Sequence, residues 1–317
     1  MDKKTINILL CIDDFWWDYT RHCAVTMLSV LETNKNNKIK FYIMSSCLPE
    51  GNIKELKRIV DLYNQEIEFI IHDNIIPEEI KKNLINRRTL TWWTFYRLFF
   101  PKYIKNIDRI LYMDCDVLVL KDISSIFNMD MKWKVLAGYY DIPISDYTKK
   151  KYFWIDNYIN AWVILIDVNK YKENNINGKM IKDINKKYWE FIYDVDQDYL
   201  NIIFKNDIFI YNSKMNYLVL YKYFNKWIKK ASILHCLQKP YKKNNNVPKF
   251  VRKLYFKYLE KTKRKDYVVE YWKQKRNTNM IDQIRNFFVF FIYRIMWRKI
   301  SIYFQIFTSK IRGLLGK

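Results

Sequence analysis

Cysteine is scarce in this 317-residue chain and forms no recognisable pattern. The five cysteines are odd in number and widely scattered: Cys11, Cys23, Cys47, Cys115 and Cys236. No two of them form a Cys-x-x-Cys pair, which argues against a disulfide framework and against a cysteine zinc site. We therefore expect a protein of a reducing cytoplasm.

Targeting signals, repeats and membrane spans are missing as well. The first residues run directly into an apolar segment without the pattern of a signal peptide. No internal repeat is apparent. The most apolar stretch, residues 287–293, is followed by charges well before the roughly 18–20 residues that cross a bilayer. A secreted, repetitive or membrane-spanning protein is not expected.

What the chain has in abundance is apolar surface and positive charge. Half of its residues are hydrophobic and 18% are aromatic, enough for a large core and too many for a disordered protein. The net charge is +23, of which residues 242–317 carry +16, with twenty Lys or Arg against four acids. This asymmetry predicts an ordinary domain, residues 1–245, with a basic tail, residues 246–317.

Apolar runs alternate with amphipathic segments along the first domain. Buried strands are predicted at 5–12, 38–44, 66–72, 108–113, 117–120, 135–140 and 161–167. Helices are predicted at 22–32, 52–64, 91–98 and 196–205. This order favours an α/β fold with a mostly parallel sheet, whose ligands bind at the carboxyl ends of the strands. Residues 242–246, rich in Lys and Asn, are the predicted linker.

Asp114 and Asp116 are the sharpest chemical signal in the sequence. They follow one apolar strand and precede another, whereas an isolated Asp-x-Asp is more often a solvated loop. In an extended strand they would lie roughly 6–7 Å apart, too far to share one cation. The chain should therefore turn at Cys115, or the carboxylates should engage a metal through different partners. Hard cations such as Mn²⁺ or Mg²⁺ suit such ligands.

Residues 108–122, of sequence DRILYMDCDVLVLKD, resemble the signature of the family 8 retaining glycosyltransferases. This family includes bacterial lipooligosaccharide and lipopolysaccharide galactosyl- and glucosyltransferases. The similarity extends with gaps from about residue 6 to residue 241, with several motifs in the family order. It implies a Rossmann-like nucleotide-sugar-binding domain of the GT-A type, followed here by a basic helical extension. It also implies Mn²⁺ or Mg²⁺ as cofactor, a UDP-hexose donor and a glycan or glycolipid acceptor.

The resemblance assigns donor-binding roles to residues near the amino end of the domain and to an arginine in a predicted helix. Asp13 matches an acid near uracil and ribose, although a helix cap or a solvated turn is the simpler interpretation. Trp16, or less favourably Trp17, matches an aromatic that stacks on uracil. Phe15 replaces a common Asn. Arg97 matches an arginine that reaches the donor sugar and the first metal aspartate, although a lone helix arginine is usually exposed.

The sugar side of the site is assigned to two further motifs. Asn160 and Ala161 match an Asn-Ala-Gly element beside the transferred sugar, and Trp162 replaces its glycine. Asp196, Gln197 and Asp198 match the family triplet near the anomeric carbon, of which Asp196 and Gln197 are the expected catalytic residues. The alternative interpretation of that acidic segment is a helix start that complements the helix dipole.

His235 and Lys239 complete the constellation implied by the resemblance. His235 matches the third metal ligand, although a histidine after an apolar run is usually structural. Lys239 is followed by Pro240 and an aromatic, as in the family, and is expected to neutralise the diphosphate. The segment after His235 is about two residues short and lacks the family's phosphate-contacting glycine.

The expected chemistry follows from charge. A cation on Asp114, Asp116 and His235, with Lys239, would stabilise the departing diphosphate. Asp196 and Gln197 would face the oxocarbenium-like sugar. Retention is explained either by same-face attack assisted by the leaving phosphate or by Gln197 as a nucleophile. The second route is less attractive because a neutral amide is a poor nucleophile.

The basic tail allows three interpretations. Residues 281–311 combine Phe, Trp and Ile with basic residues, which is typical of a helix in an anionic membrane interface. An amphipathic helix packed on its own domain and a nucleic-acid-binding segment are the alternatives, the latter without a supporting motif. We expect a cytoplasmic protein at the inner face of the cytoplasmic membrane that binds no nucleic acid.

Two other classes of function compete with glycosyl transfer. A metal-dependent phosphoryl-transfer enzyme would also use Asp114 and Asp116, but the chain has no Walker loop and no kinase signature. A non-catalytic basic protein that binds membranes or nucleic acid would explain the tail and leave the ordered motifs unexplained.

Overall fold

The computed structural model describes residues 4–14, 19–85, 92–141, 153, 155–192, 194–219, 228–236, 240–241 and 247–263. All of them belong to one compact unit, Met1–Val269. The predictions for Phe15, Trp16, Trp17 and Lys239 lie outside the described residues, as do the linker and residues 264–317 of the tail.

Ten strands are described in these ranges: β1 (Ile6–Cys11), β2 (Ile39–Ser45), β3 (Glu66–Ile71), β4 (Arg109–Met113), β5 (Val117–Val119), β6 (Leu136–Gly138), β7 (Val163–Asp167), β8 (Ile208–Ile210), β9 (Tyr217–Leu218) and β10 (Ile233–His235). The described helices are α1 (Thr20–Thr33), α2 (Glu50–Asp61), α3 (Glu78–Lys81), α4 (Trp93–Phe99), α5 (Ser124–Phe127), α6 (Val168–Glu173), α7 (Gly178–Tyr188), α8 (Val195–Ile203) and α9 (Lys249–Leu259). Short 3-10 turns lie at Phe100–Lys102, Trp189–Phe191, Ser213–Met215 and Ile228–Lys230.

Seven strands form the central sheet in the order β3-β2-β1-β4-β7-β6-β8. The first four are parallel to one another, β7 runs antiparallel to both neighbours, and β8 is parallel to β6. β1 is apolar almost throughout and buried along its whole length, which is what a central parallel strand covered on both faces requires. The predicted α/β fold with a mostly parallel sheet is confirmed.

A second, three-stranded sheet carries one side of the candidate site. Its order is β5-β10-β9, and β10 pairs antiparallel with β5, so that His235 opposes Val117. Because β5 follows β4 after only a three-residue turn, this small sheet begins where a central strand of the large sheet ends. Residues of both sheets therefore meet at that turn.

Helix α1 fixes the turn between β4 and β5 from behind. The Thr26 hydroxyl lies 2.9 Å from the carbonyl oxygens of both Cys115 and Val117 and donates its proton between them. One turn further along the helix, the Ser29 hydroxyl oxygen accepts the N–H of Val119 at 2.9 Å. These buried bonds hold a non-regular stretch of backbone in one conformation, since leaving its polar groups unpaired would be costly.

Helix α9, at the start of the basic segment, packs on α1. The Nδ1 atom of His22 and the hydroxyl of Tyr255 lie 2.6 Å apart, and both side chains are buried. Beyond the helix, Lys261 pairs with Glu32, and the Lys263 N–H donates to Glu55 at 2.9 Å. This helix therefore packs on the chain's own domain. The domain boundary between residues 245 and 246 stays a prediction.

No helix among the described residues is both long and apolar enough to span a bilayer.

Gly138 ends β6 where the segment before β7 passes closest to the sheet. A Cβ atom at this position would lie 2.5 Å from Ile159 Cδ1 and 3.0 Å from its Cβ. We expect Gly138→Ala to lower the free energy of unfolding by roughly 1–3 kcal/mol, the usual effect of overpacking. The matched control is Gly178→Ala in α7, where the nearest atom is Glu79 O at 3.8 Å. Equal stability of the two variants in urea denaturation would contradict the close approach.

Candidate active site

Asp114 and Asp116 lie on the turn between β4 and β5. Strand β4 ends at Met113 and β5 begins at Val117, so the chain turns at Cys115, as one of the two sequence-based alternatives required. The N–H of Asp114 donates to the carbonyl of Trp162 at 2.9 Å, which ties the turn to the residue before β7. The turn brings the two carboxylates closer together than an extended strand would.

His235 joins the two aspartates across the small sheet. One ligand atom from each of Asp114, Asp116 and His235 lies within 4.8 Å of the others, and the His235 Nε2–Asp116 Oδ1 distance is 3.0 Å. Burial lowers the pKa of His235 to about 4, so the imidazole is neutral near pH 7 and able to coordinate a metal. Two carboxylates and one neutral imidazole form a donor set that fits Mn²⁺ or Mg²⁺.

Arg97 lies at the centre of the site, 4% exposed, and not on the protein surface. Its Nη2 atom is 3.2 Å from Asp114 Oδ1, and its Nε atom is 2.9 Å from Asp196 Oδ2. Its Nη1–H donates to the carbonyl of Ala161. Burial by itself lowers the pKa of Arg97, but Asp196, Tyr112 and Asp114 together raise it above its ordinary value. The guanidinium is therefore a permanent cation between the candidate metal cluster and α8.

Tyr112 belongs to the same cluster, although the sequence analysis did not select it. Its hydroxyl donates to Asp114 Oδ1 at 2.5 Å, and the guanidinium carbon of Arg97 lies 4.1 Å from the centre of its ring. The available signal was the two-residue period of β4, which places Tyr112 and Asp114 on the same face. Tyr112 thus orients the first metal-ligand candidate from within its own strand.

Asp196 is a buried carboxyl group, 4% exposed, at the start of α8. Although its Oδ2 atom forms an ion pair with Arg97, the proton on Arg97 Nε points to the carbonyl of Thr94, also 2.9 Å away. Burial raises the pKa of Asp196 to about 7; Arg97 lowers it and Asp114 adds to the rise. The carboxyl group therefore changes its charge within the physiological pH range.

Gln197 follows Asp196, and both ends of its side-chain amide are held. Its Oε1 accepts the N–H of Ala161 at 2.8 Å, and its Nε2 donates to Asp141 at 3.2 Å and to the hydroxyl of Tyr158 at 3.3 Å. Asp141 and Tyr158 lie 56 and 39 residues away in the chain, and no local motif marked them. The amide is thereby fixed relative to the Asn160–Ala161 segment.

The backbone just before this pair is in an unusual conformation. Val195, the first residue of α8, has φ +38° although its side chain is branched and buried. The neighbouring Asp198 accepts the N–H of Asp194 at 2.7 Å and the Tyr158 hydroxyl at 2.6 Å, so it stabilises the helix start. The sequence allowed the acidic segment to be simply the start of a helix, and Asp198 has that role. Asp196 instead points to Arg97.

Asn160 and Ala161 lie beside this cluster, before β7. The Asn160 Nδ2 donates to the carbonyl of Tyr139 at 3.1 Å, and its Oδ1 accepts from Asn216 Nδ2 at 2.7 Å. Ala161 contributes its N–H to Gln197 and its carbonyl to Arg97. Trp162 packs its ring on His235, with the ring centres 4.1 Å apart. This segment connects the candidate metal cluster to the α8 residues.

Asp13 lies at the carboxyl end of β1, in a different part of the site. Its carboxylate accepts the Ser46 N–H at 2.7 Å and the Tyr96 hydroxyl at 2.8 Å. The capping role considered for it belongs instead to Asp14, which accepts the N–H of Thr20 at 2.7 Å. A cavity of about 180 Å³ adjoins Asp13 and is lined by Ser46, Asp73, Ile75, Ile76, Lys81, Trp92 and Tyr96.

The structure therefore brings most of the predicted site residues together around Arg97. Asp114, Asp196 and Ala161 contact it directly, and Gln197 binds the N–H of Ala161. Asp116 and His235 lie in the candidate metal cluster with Asp114, and Asn160 directly precedes Ala161. Residues 7–245 match the family model for glycosyl transferase family 8, and the chain belongs to this family.

Relatives in several bacteria are similar in sequence. General stress protein A of Bacillus subtilis is 27% identical over 280 residues, 82% of this chain and 95% of the relative. A protein of Haemophilus influenzae named as a glycosyltransferase is 29% identical over 219 residues, 68% of this chain and 64% of the relative. The lipopolysaccharide 1,2-glucosyltransferase of Escherichia coli is 24% identical over 225 residues, 68% of this chain and 63% of the relative. The chain thus spans less than two thirds of two of these relatives.

Solved structures share the fold. The galactosyltransferase LgtC, in complex with donor and acceptor sugar analogues, superposes with a TM-score of 0.69 at 22% identity, over 81% of this chain and 96% of LgtC. The glycosyltransferase GlyE of Streptococcus pneumoniae superposes with a TM-score of 0.58 at 21% identity, over 87% of this chain and 66% of GlyE. The predicted GT-A type of fold is confirmed.

The raised pKa of Asp196 makes stability depend on pH in a defined direction. In the unfolded chain the carboxyl group loses its proton near its ordinary pKa of 3.8, whereas in the folded chain it keeps the proton up to about pH 7. Between these values the native state holds more protons, so the contribution of Asp196 to the free energy of unfolding falls as pH rises. The slope is at most about 1.4 kcal/mol per pH unit.

The measurement is urea denaturation from pH 4 to pH 7 of the wild type and Asp196→Asn. We expect the stability of the variant, relative to the wild type, to increase across this interval. Asp183→Asn, an exposed change of the same type in α7, should keep the wild-type slope. Parallel curves for the wild type and Asp196→Asn would disprove the assignment.

Proposed function

We propose that the protein is a metal-dependent, retaining hexosyltransferase that transfers galactose or glucose from a UDP-sugar to a glycan acceptor. The observation that carries this proposal is that one buried arginine contacts two acidic parts of the site, the candidate metal cluster and the start of α8. Arg97 pairs with Asp114 of the candidate metal cluster and with Asp196 at the start of α8. A candidate metal cluster alone would fit many enzymes, whereas a buried acid that shares an arginine with this cluster supports a reaction in which a diphosphate leaves and positive charge develops on a sugar.

The nucleoside of the donor is proposed to bind in the cavity beside Asp13. That cavity combines apolar and aromatic walls, from Ile75, Ile76 and Trp92, with the Asp13 carboxylate. An apolar pocket with a few fixed polar groups is the usual arrangement for a planar base with hydrogen-bonding edges. Trp16 and Lys239, the proposed partners of uracil and diphosphate, stay predictions from the sequence.

A divalent ion held by Asp114, Asp116 and His235 would neutralise the diphosphate of the donor. The bond between the anomeric carbon and the phosphate oxygen breaks, and its electron pair leaves with the phosphate. The acceptor hydroxyl oxygen forms the new bond on the same face of the sugar, and its proton goes to the departing phosphate oxygen. Asp196 in its ionised form would stabilise the positive charge that develops on the sugar.

The hydrogen bonds of Gln197 support same-face attack over a double displacement. Its Oε1, the atom that would have to attack, already accepts the N–H of Ala161. A nucleophilic role would require this bond to break and a neutral amide to attack. We propose instead that Gln197 holds the Asn160–Ala161 segment against the sugar.

The named relatives support the class of substrate. The Escherichia coli relative is named a lipopolysaccharide glucosyltransferase, and LgtC is titled a galactosyltransferase. We therefore propose that the acceptor belongs to lipopolysaccharide, lipooligosaccharide or another surface glycan. Neither the phosphoryl-transfer alternative nor the non-catalytic alternative gains support from the cluster around Arg97.

Replacing Asp116 tests the metal site. We expect Asp116→Asn to lower the rate of Mn²⁺-dependent UDP-sugar hydrolysis and transfer by a factor of about 1,000 or more, because a metal ligand in the reaction is lost. Released UDP is measured with UDP-galactose and UDP-glucose, with Mn²⁺ and with a chelator. The control Asp183→Asn should leave the rate unchanged. A wild-type rate in Asp116→Asn would overturn the metal assignment, and a wild type inactive with every nucleotide sugar would overturn the function.

The basic tail is proposed to bring the enzyme to a lipid-linked acceptor at the inner face of the cytoplasmic membrane. A useful deletion removes residues 264–317 and keeps α9, because α9 covers buried residues of α1. We expect this deletion to weaken binding to anionic vesicles at least tenfold, since each basic residue near such a surface contributes about 1 kcal/mol. Co-sedimentation with anionic and neutral vesicles is the measurement. Undiminished binding of the truncated protein would refute the role of the tail.

A further inference from the structure

The imidazole of His235 lacks the contact that usually orients a metal-binding histidine. Such histidines ordinarily donate their second ring N–H to a carboxylate, a carbonyl or a water, which fixes the plane of the ring. Here the Nδ1 atom is buried and has no hydrogen-bond partner within the described part of the chain. The Nε2 atom contacts Asp116 at 3.0 Å, which restrains one edge of the ring only.

The indole of Trp162 contacts the imidazole instead. The two ring centres are 4.1 Å apart and the planes are tilted by 40°. Aromatic rings at this separation attract each other beyond the effect of their burial, and the large indole blocks rotation of the smaller ring. The contact therefore restrains the plane of His235 where the usual hydrogen bond is missing.

The backbone of Trp162 reaches the other side of the same cluster. Its carbonyl accepts the N–H of Asp114 at 2.9 Å. The next residue, Val163, is opposite Met113 in the antiparallel pairing of β4 and β7. One residue thus restrains two candidate ligands, Asp114 through its main chain and His235 through its side chain. The main-chain contact is available to any residue, whereas the ring contact depends on an aromatic residue where the family pattern has glycine.

We propose that Trp162 is a positioning residue of the metal site: its indole holds the imidazole of His235 in the orientation that presents Nε2 to the ion. This inference rests on the proposed metal-dependent function. Without the indole, the neutral imidazole rotates about its Cβ–Cγ bond, and Nε2 faces the ion for only part of the time. Loss of a contact that orients a ligand typically weakens metal binding by about 10- to 100-fold.

The test measures the binding of Mn²⁺, with and without saturating UDP, from the loss of the electron paramagnetic resonance signal of free Mn²⁺. We expect Trp162→Ala to raise the dissociation constant about 10-fold or more and Trp162→Phe to stay within about threefold of the wild type, since a smaller ring still stacks. Trp189→Ala removes an exposed indole outside the site and should change nothing.

A double-mutant cycle separates positioning from a general structural effect. If Trp162 acts through the imidazole, Trp162→Ala should have no further effect on Mn²⁺ binding in a His235→Ala background. If Trp162→Ala does not fold, Trp162→Leu takes its place in the cycle, because leucine keeps apolar bulk without a stacking ring. Unchanged Mn²⁺ affinity in the single variant, or equal losses in both backgrounds, overturns the inference.

The outcomes also separate this inference from the proposed function. A wild type that binds Mn²⁺ and loses affinity on Trp162→Ala, yet hydrolyses no nucleotide sugar, would refute the function and leave the role of Trp162 intact. A wild type that hydrolyses UDP-sugars, with Mn²⁺ affinity indifferent to Trp162, would refute only the role of Trp162. A wild type that does not bind Mn²⁺ under either condition refutes both.

Discussion

The buried guanidinium of Arg97 is the interaction on which the arrangement of the site depends. It contacts a carboxylate on each side and a main-chain carbonyl, so its removal would leave Asp114 and Asp196 uncompensated in the protein interior. Breaking such a pair from one side is strongly unfavourable. When ionised, Asp114, Asp116 and Asp196 exceed the charge of Arg97 by two. A divalent cation at the candidate metal site would bring the same group to neutrality.

Much of the fold, and the pair Asp114 and Asp116, follow from local properties of the sequence. Continuous apolar runs identify the central strands, because a parallel strand covered on both faces has no polar side. The turn at Cys115 was one of two alternatives predicted from distance, since two carboxylates on an extended strand are too far apart for one ion. Even Tyr112 was accessible in principle, as the residue on the same face as Asp114.

Contacts between distant parts of the chain were not accessible in this way. Trp162 and His235 meet because β7 begins and β10 ends beside the same turn, and Asp141 contacts Gln197 although 56 residues separate them. Helix α9 could not be identified from the sequence, because the positive charge of its segment indicates an exposed surface. Its packing on α1 depends on the contact between Tyr255 and His22. Periodicity reports which face of an element is buried, but not which element covers it. Resemblance to a family supplied some of these partners, and the rest required coordinates.

The conformation of Val195 shows where the chain gives up stability. A branched residue with φ near +38° is held against a steric preference of about 1–2 kcal/mol, and here that residue is also buried. The adjoining residues, Asp196 and Gln197, are the ones that would face the sugar. Substitutions that remove the need for a positive φ at Val195 would raise the melting temperature. The side chains of Asp196 and Gln197 would then no longer be held in their present orientations. On the proposed function, a substitution that stabilises the protein at this residue would therefore lower its turnover.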